Sequence, residues 1–191
     1  MEIRKLTLLS ELESIYKTCM IRDFPPNERR PLASLAAGWN RDEYDCYGLY
    51  EETELLAYAF FVRLPGKSGF NYLFDYLAVC EGHRGKGIGS AFLRLLSGRI
   101  RNAECIIGEM EDPDAPCEAQ ERAIREKRRR FYMRAGFLDT DVRACVFGVD
   151  YLLFEVPTKR AHTKDEIREI YTSLYRSILL PPFFETQFHL K

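Results

Sequence analysis

Residues 75–89 read D-Y-L-A-V-C-E-G-H-R-G-K-G-I-G, and the fold turns on how this stretch is read. Leu77, Ala78 and Val79 make the apolar end of a strand. Gly82, Gly85, Gly87 and Gly89 follow at once, as a tight turn in the backbone requires. From Ile88 the apolar positions are Ile88, Ala91, Phe92, Leu95, Leu96 and Ile100. That spacing is one face of an amphipathic helix. The order is therefore buried strand, glycine turn, helix.

Such a junction has a definite chemistry. The first amides of a helix lack intrahelical partners and sit at the positive end of its dipole. Glycines let an anion approach them, so the turn is a phosphate site. Arg84 and Lys86 add charge beside the amides. Two common phosphate loops fail on spacing. A Walker loop begun at Gly82 needs Lys directly after Gly87, where Ile88 stands. A dinucleotide fingerprint begun at Gly85 and Gly87 needs a third glycine where Ser90 stands.

The spacing Arg84-x-x-Gly87-x-Gly89 behind Leu77-Ala78-Val79 resembles the acyl-CoA-binding motif of the GNAT superfamily of N-acetyltransferases. The resemblance implies that Arg84, Gly85, Lys86, Gly87, Ile88, Gly89 and Ser90 hold the diphosphate of acetyl-CoA. It implies that Leu77, Ala78 and Val79 pair their backbone with the pantetheine arm. It covers residues 1–156 as the catalytic domain and leaves residues 157–191 as a helical extension packed on it.

Composition is consistent with one soluble domain: of 191 residues, 46% are hydrophobic and 30% charged, enough for a packed core. Lys and Arg total 28 against 29 Asp and Glu, a balance that argues against a general nucleic-acid binder. The six cysteines, at positions 19, 46, 80, 105, 117 and 145, form no C-x-x-C pair and no zinc-spaced cluster with histidine, so no metal is expected. Cys80 and Cys105 read as small core residues. No signal-peptide pattern opens the chain and no apolar run is long enough to span a membrane, so a reducing cytoplasmic setting is expected.

The remaining pattern places the other elements. Residues 2–6 form a strand, and Ser10 caps a helix carrying Leu12, Ile15, Tyr16, Cys19 and Met20. Phe24-Pro25-Pro26 ends that helix, and Pro31 opens a short one over residues 32–39. Asn27, Glu28, Arg29 and Arg30 lie in the loop between them, a polar inter-helix turn that in the resembled family often borders the acceptor pocket. Residues 44–50, 55–64 and 70–80 make an antiparallel meander. Both faces of the last strand are apolar, so it is central, and Asp75 within it needs partners or a pocket.

After the helix from Ile88, residues 104–110 form a strand parallel to the one at 70–80, by a right-handed crossover. Gly108 weakens its ladder. The resemblance implies that these parallel strands splay and admit the pantetheine.

Glu109 and Glu111 share a face of this strand. Acyl transfer needs a base, because an amine is mostly ammonium at neutral pH. The resemblance implies that Glu109, with Glu111 next and Asp75 behind, takes the amine proton. The helix over residues 118–135 carries the run E-K-R-R-R at 126–130, read as a solvated face with intrahelical pairs, one or two of whose arginines could meet the 3′-phosphate. It ends F-Y-M-R-A-G-F, with Gly136 as the stop and Phe137 starting the next strand. This second motif also resembles the family, where the matching tyrosine, here Tyr132, attends the CoA sulfur and protonates the departing thiolate.

Two strands follow, over 143–147 and 149–156, and then a helix over 163–180 with a stripe of Ile167, Ile170, Tyr171, Leu174, Tyr175 and Ile178, ending at Pro181-Pro182. The last nine residues have no readable structure. The expected fold is a mixed α/β (α+β) domain: a central sheet of about six to seven strands, with a splayed parallel pair and helices on both faces. The expected activity is acetyl transfer from acetyl-CoA to a primary amine of a small molecule or peptide, by a monomer or homodimer that needs neither nucleic acid nor membrane. The alternative is a non-catalytic acyl-CoA-binding sensor or inactive subunit.

Overall fold

A computed structural model describes residues 1–100 and 102–191. The fold is of the expected α/β class, with a mixed sheet. Contacts divide the chain into two compact units, residues 1–63 with 74–101, and residues 64–73 with 102–191.

The first unit holds β1 (Glu2–Lys5), α1 (Leu9–Ile15), α2 (Ile21–Asp23), α3 (Leu32–Asn40), β2 (Tyr44–Glu51), most of β3 (Glu54–Pro65), the later part of β4 (Phe70–Val79) and α4 (Ile88–Ser97). β1 runs antiparallel to β2, with Ile3 opposite Leu49, and β2 antiparallel to β3, with Tyr47 opposite Ala59. Every residue from Leu56 to Val62 is buried, so β3 is covered on both faces. Phe61 and Phe74 stack face to face there, centroids 4.5 Å apart.

Helix α1 starts differently from the expected Ser10 cap. Leu8 is its N-cap, and the Glu11 carboxylate reaches back to accept from the Thr7 and Leu8 amides at 2.8 and 2.9 Å. A carboxylate at the third helical position satisfies those donors better than a hydroxyl inside the first turn. A π-helical turn, Tyr16–Met20, joins α1 to α2. Helix α4 also departs in detail. It stops at Ser97 with Gly98 as C-cap, and it buries Phe92, Leu93 and Leu96 while Leu95 is exposed.

The second unit holds the first residues of β4, then β5 (Ala103–Glu111), α5 (Ala119–Arg134), β6 (Leu138–Val146), β7 (Val149–Val156), α6 (Lys164–Ile178), α7 (Pro181–Gln187) and β8 (Phe188–Leu190). β5 lies beside β4 as the parallel pair, and Phe70 N–H donates to the Asn102 carbonyl at 3.0 Å. Gly69 is required there, since a Cβ would run into that carbonyl. Beyond β5 the order is β7, β6, β8. β5 and β7 pair antiparallel from Ile106–Val156 to Glu111–Tyr151 without a register shift, so Gly108 does not interrupt the ladder on that side. Its lack of a side chain instead makes room for the Phe154 ring opposite.

Phe147 and Gly148, both at positive φ, form the two-residue β6–β7 turn. β6 starts at Leu138, next to the strand start expected at Phe137, and runs on through the strand expected at 143–147; an irregularity between Asp139 and Arg143 hides its alternation in between. Helix α6 opens on a capping box: Glu166 N–H donates to Thr163 Oγ1 at 3.3 Å, and Glu166 Oε2 accepts from Thr163 N–H at 2.8 Å. The C-terminal residues, whose sequence shows no readable pattern, form α7 and β8. Prolines at the head of α7 suit a helix start, where an N–H is not needed. β8 pairs with β6, Val146 opposite Phe188, and brings the described strands to eight rather than six or seven.

Candidate active site

In the first unit, β4 delivers the glycine turn. Leu77, Ala78 and Val79 are half-buried, and the turn from Glu81 to Gly87 is mostly exposed. Gly82, Gly85 and Gly87 have φ of 60°, 77° and 79°, and a Cβ at any of them would meet nothing within 4 Å. Their role is therefore conformational. Gly87 is the N-cap of α4 and no side chain caps it. The turn thus presents its backbone outward at a helix start. Lys86 is exposed beside it. Arg84 folds back, donating from Nε to the Val79 carbonyl at 3.0 Å and pairing with Asp23, itself the acceptor of the Tyr58 hydroxyl at 2.8 Å. That bracket ties the turn to the end of β4.

Asp75 lies in the same unit, its side chain 5% exposed. It accepts from the Tyr44 hydroxyl at 2.9 Å and from Arg30 Nε at 3.2 Å. Burial first, and then the Asp75 charge, push the Tyr44 phenol well above its usual range. Arg29 donates to the Ile21 and Phe24 carbonyls, and Tyr76 Oη bonds the Arg30 amide and the Glu28 carbonyl. This inter-helix loop spends its arginines on its own architecture. Asn27 is exposed.

In the second unit, β5 carries the two glutamates and α5 ends at Tyr132. Glu109 is partly exposed, and its Oε1 accepts from the hydroxyls of Tyr171 and Tyr175, the latter at 2.6 Å. Glu111 is held by Arg128 at 2.8 Å and Arg125 at 3.3 Å. Arg129 reaches Asp139 at 2.7 Å, so the charge run of α5 braces β5 and β6 as well as pairing along its own helix.

Tyr132 owes its position to the end of α5. Gly136, at φ 88°, reverses the chain. The Gly136 amide then bonds the Met133 carbonyl and the Phe137 amide bonds the Tyr132 carbonyl, at 3.0 and 3.1 Å, a Schellman motif. The motif brings Phe137 onto the Tyr132 ring, centroids 5.4 Å apart, and Phe154 stacks on the same ring at 4.5 Å. The ring is 8% exposed, and burial raises its phenol, so it is a protonated donor at neutral pH. Among the described residues its hydroxyl has no hydrogen-bond partner.

Two groupings escaped the sequence reading. Tyr171 and Tyr175 entered only as members of an apolar stripe. A usable signal was present, since a buried tyrosine hydroxyl needs a partner and two at i, i+4 point the same way. The other grouping is Cys105, Glu155 and His162, whose ligand-type atoms lie within 4.8 Å of one another despite unremarkable spacing. Glu155 accepts from the His162 amide at 3.1 Å and meets its Nδ1 at 2.5 Å, so both carboxylate oxygens serve the histidine. Burial pushes the Cys105 thiol up, away from the thiolate a metal would need.

No described helix is long and apolar enough to cross a membrane. The sequence matches the family model described as the acetyltransferase (GNAT) family over residues 9–137. No curated protein has a matching sequence. Among solved structures, a GNAT-family protein from Bacteroides thetaiotaomicron is similar with a TM-score of 0.71 at 17% identity, over 92% of this chain and 96% of that one. The ribosomal-protein-S18-alanine N-acetyltransferase of Escherichia coli is similar with a TM-score of 0.58 at 16% identity, over 84% and 96%. An aminoglycoside 6'-N-acetyltransferase complexed with coenzyme A gives 0.57 at 16% identity, over 83% and 99%. At such identities the likeness is one of fold.

Proposed function

The chain belongs to the GNAT acetyltransferase family, and from that premise we propose that it moves an acetyl group from acetyl-CoA directly to a primary amine of a small molecule or peptide. The enzyme is a transferase and acetyl-CoA is its co-substrate. The observation that carries the reading is the outward-facing turn at Gly85–Gly87, heading a helix whose N-cap no side chain fills. Amides of Ile88, Gly89 and Ser90 and the charge of Lys86 suit a diphosphate. Arg84, bracketed on the Val79 carbonyl, holds the turn. Leu77, Ala78 and Val79 offer the pantetheine a strand edge.

The chemistry then needs a base, an oxyanion donor and an acid. Glu109 takes the ammonium proton, directly or through water, and frees the nitrogen lone pair. The nitrogen attacks the thioester carbon, a C–N bond forms, and negative charge gathers on the carbonyl oxygen. A backbone amide near Val79 steadies that charge. The C–S bond breaks as the oxyanion collapses, Tyr132 gives its proton to the leaving thiolate, and the second proton shed by the attacking nitrogen as the amide forms restores the phenol through solvent. Glu111, paired with two arginines, and Asp75, paired with Arg30, rank behind Glu109, whose Oε1 accepts from two neutral tyrosine hydroxyls.

The test is thiol release from acetyl-CoA with spermidine, kanamycin and an alanine-terminated peptide. Glu109→Gln and Tyr132→Phe are each expected to slow turnover by about 10²–10⁴-fold. Wild-type rates in both would remove the assignments. Calorimetric CoA binding with no turnover of any amine would turn the reading to an acyl-CoA sensor.

A further inference from the structure

Helix α6 lies outside both motifs that carry the family resemblance, yet it sends two hydroxyls to a single carboxylate oxygen. Tyr171 and Tyr175 are one helical turn apart, so their hydroxyls project from the same face. Both donate to Glu109 Oε1. Tyr171 is fully buried and Tyr175 is 4% exposed, whereas Glu109 keeps partial exposure. The rings have little freedom to turn away. They pack on each other at 4.8 Å, and Phe188 packs on them at 5.4 and 5.0 Å. Phe188 is fixed in turn by β8 pairing with β6 and by stacking on Phe184 at 4.9 Å. The C-terminal extension thus builds a rigid mount for two donors.

A packed helix has no need of such a mount. A buried tyrosine hydroxyl can donate to any available carbonyl, and apolar residues would fill the same volume without a polar group to satisfy. Converging two donors on one carboxylate oxygen does something specific. It favours the ionised form of the acid and fixes its rotamer. A base that must be ionised before an ammonium arrives needs both.

We infer that Tyr171 and Tyr175 are positioning residues for acetyl transfer, holding Glu109 as an oriented carboxylate. The inference rests on the reading of Glu109 as base and adds the C-terminal helix to the working parts of the site. Neither tyrosine touches substrate in this scheme; both act through Glu109.

The experiment reads Glu109 itself. Protein labelled with 13C at the glutamate carboxyls is titrated by NMR, and the Glu109 resonance is identified by its loss in Glu109→Gln. Removing one donor by Tyr175→Phe raises the Glu109 midpoint, and Tyr171→Phe/Tyr175→Phe raises it by about one pH unit. Turnover of whichever probe amine the wild type accepts falls about tenfold in the double variant, and its acidic limb moves up in step. Affinity for acetyl-CoA, measured by calorimetry, stays unchanged and reports that the variants are folded. Should the double variant fail to fold, Tyr175→Phe alone carries the test. An unmoved midpoint in folded Tyr175→Phe protein overturns the inference. Wild-type turnover in Glu109→Gln instead overturns the base assignment, and the two failures are read from different variants.

Discussion

Tyr175 donates its hydroxyl to Oε1 of Glu109 at 2.6 Å, across 66 residues of sequence. The bond joins the C-terminal end of β5 to helix α6. It gives α6 a reason for the strength of its start, since the Thr163–Glu166 capping box fixes the register on which both tyrosines depend. A one-residue slip would rotate the pair by about 100° and take the donors off the carboxylate.

Gly87 sets the glycine turn through its backbone. At φ 79° with open space where a Cβ would stand, Gly87→Ala meets conformational strain and no clash. The left-handed region costs a side chain about 1–2 kcal/mol. If the turn binds the diphosphate in this conformation, CoA affinity drops about tenfold. Calorimetric titration with CoA checks it; equal affinity would separate the turn from the ligand.

Gly108→Ala acts by crowding. The new Cβ runs into the Phe154 ring, which stacks on Tyr132. Overpacking of this kind costs about 1–3 kcal/mol. Urea unfolding should show that loss, and Phe154→Leu in the same chain should recover part of it. An unchanged midpoint for the single variant would mean the ring moves aside freely.

The His162–Glu155 contact is buried on both sides, the side chains 1% and 2% exposed. Glu155→Gln leaves the histidine without its carboxylate and is expected to cost about 1.5–3 kcal/mol. Replacing both residues by leucine should cost less than the single change, because no lone polar group remains. A double-mutant cycle by denaturation measures both, and additive losses would deny the coupling.

Alkali should unfold the protein through its buried phenols. Burial, above all, raises Tyr47 from 10.0 to about 12. A raised phenol means that the fold favours the neutral form. Its contribution is therefore whole below pH 10, where both states are protonated, and fades as the pH climbs from 10 through about 12. Tyr44, Tyr58 and Tyr171 shift in the same direction, each chiefly by burial. Unfolding free energies at pH 8, 10 and 11.5, alongside phenol absorbance, should show a decline that starts above pH 10. A flat profile would contradict the burial of these rings.

Much of the fold was legible because its signals are local. The turn at Gly82–Gly87 is written in residues that tolerate positive φ, and Gly136, legible as the stop of α5, closes that helix in a Schellman motif. Helix α6 announced itself through a period of 3.6. Signals failed where context overrode them. The irregularity at Asp139–Arg143 broke the alternation of β6, and Phe188–Leu190 became a strand only because β6 offered an edge.

The sequence alone determined the order of strand, glycine turn and helix over residues 75–97, because backbone torsions, helix caps and apolar periods are properties of neighbouring residues. Tertiary structure decided which carboxylates are occupied and by what: Asp75 by Tyr44 and Arg30, Glu111 by Arg125 and Arg128, Glu109 by Tyr171 and Tyr175. Most of those partners are tens of residues away, and only packing brings them within hydrogen-bond reach.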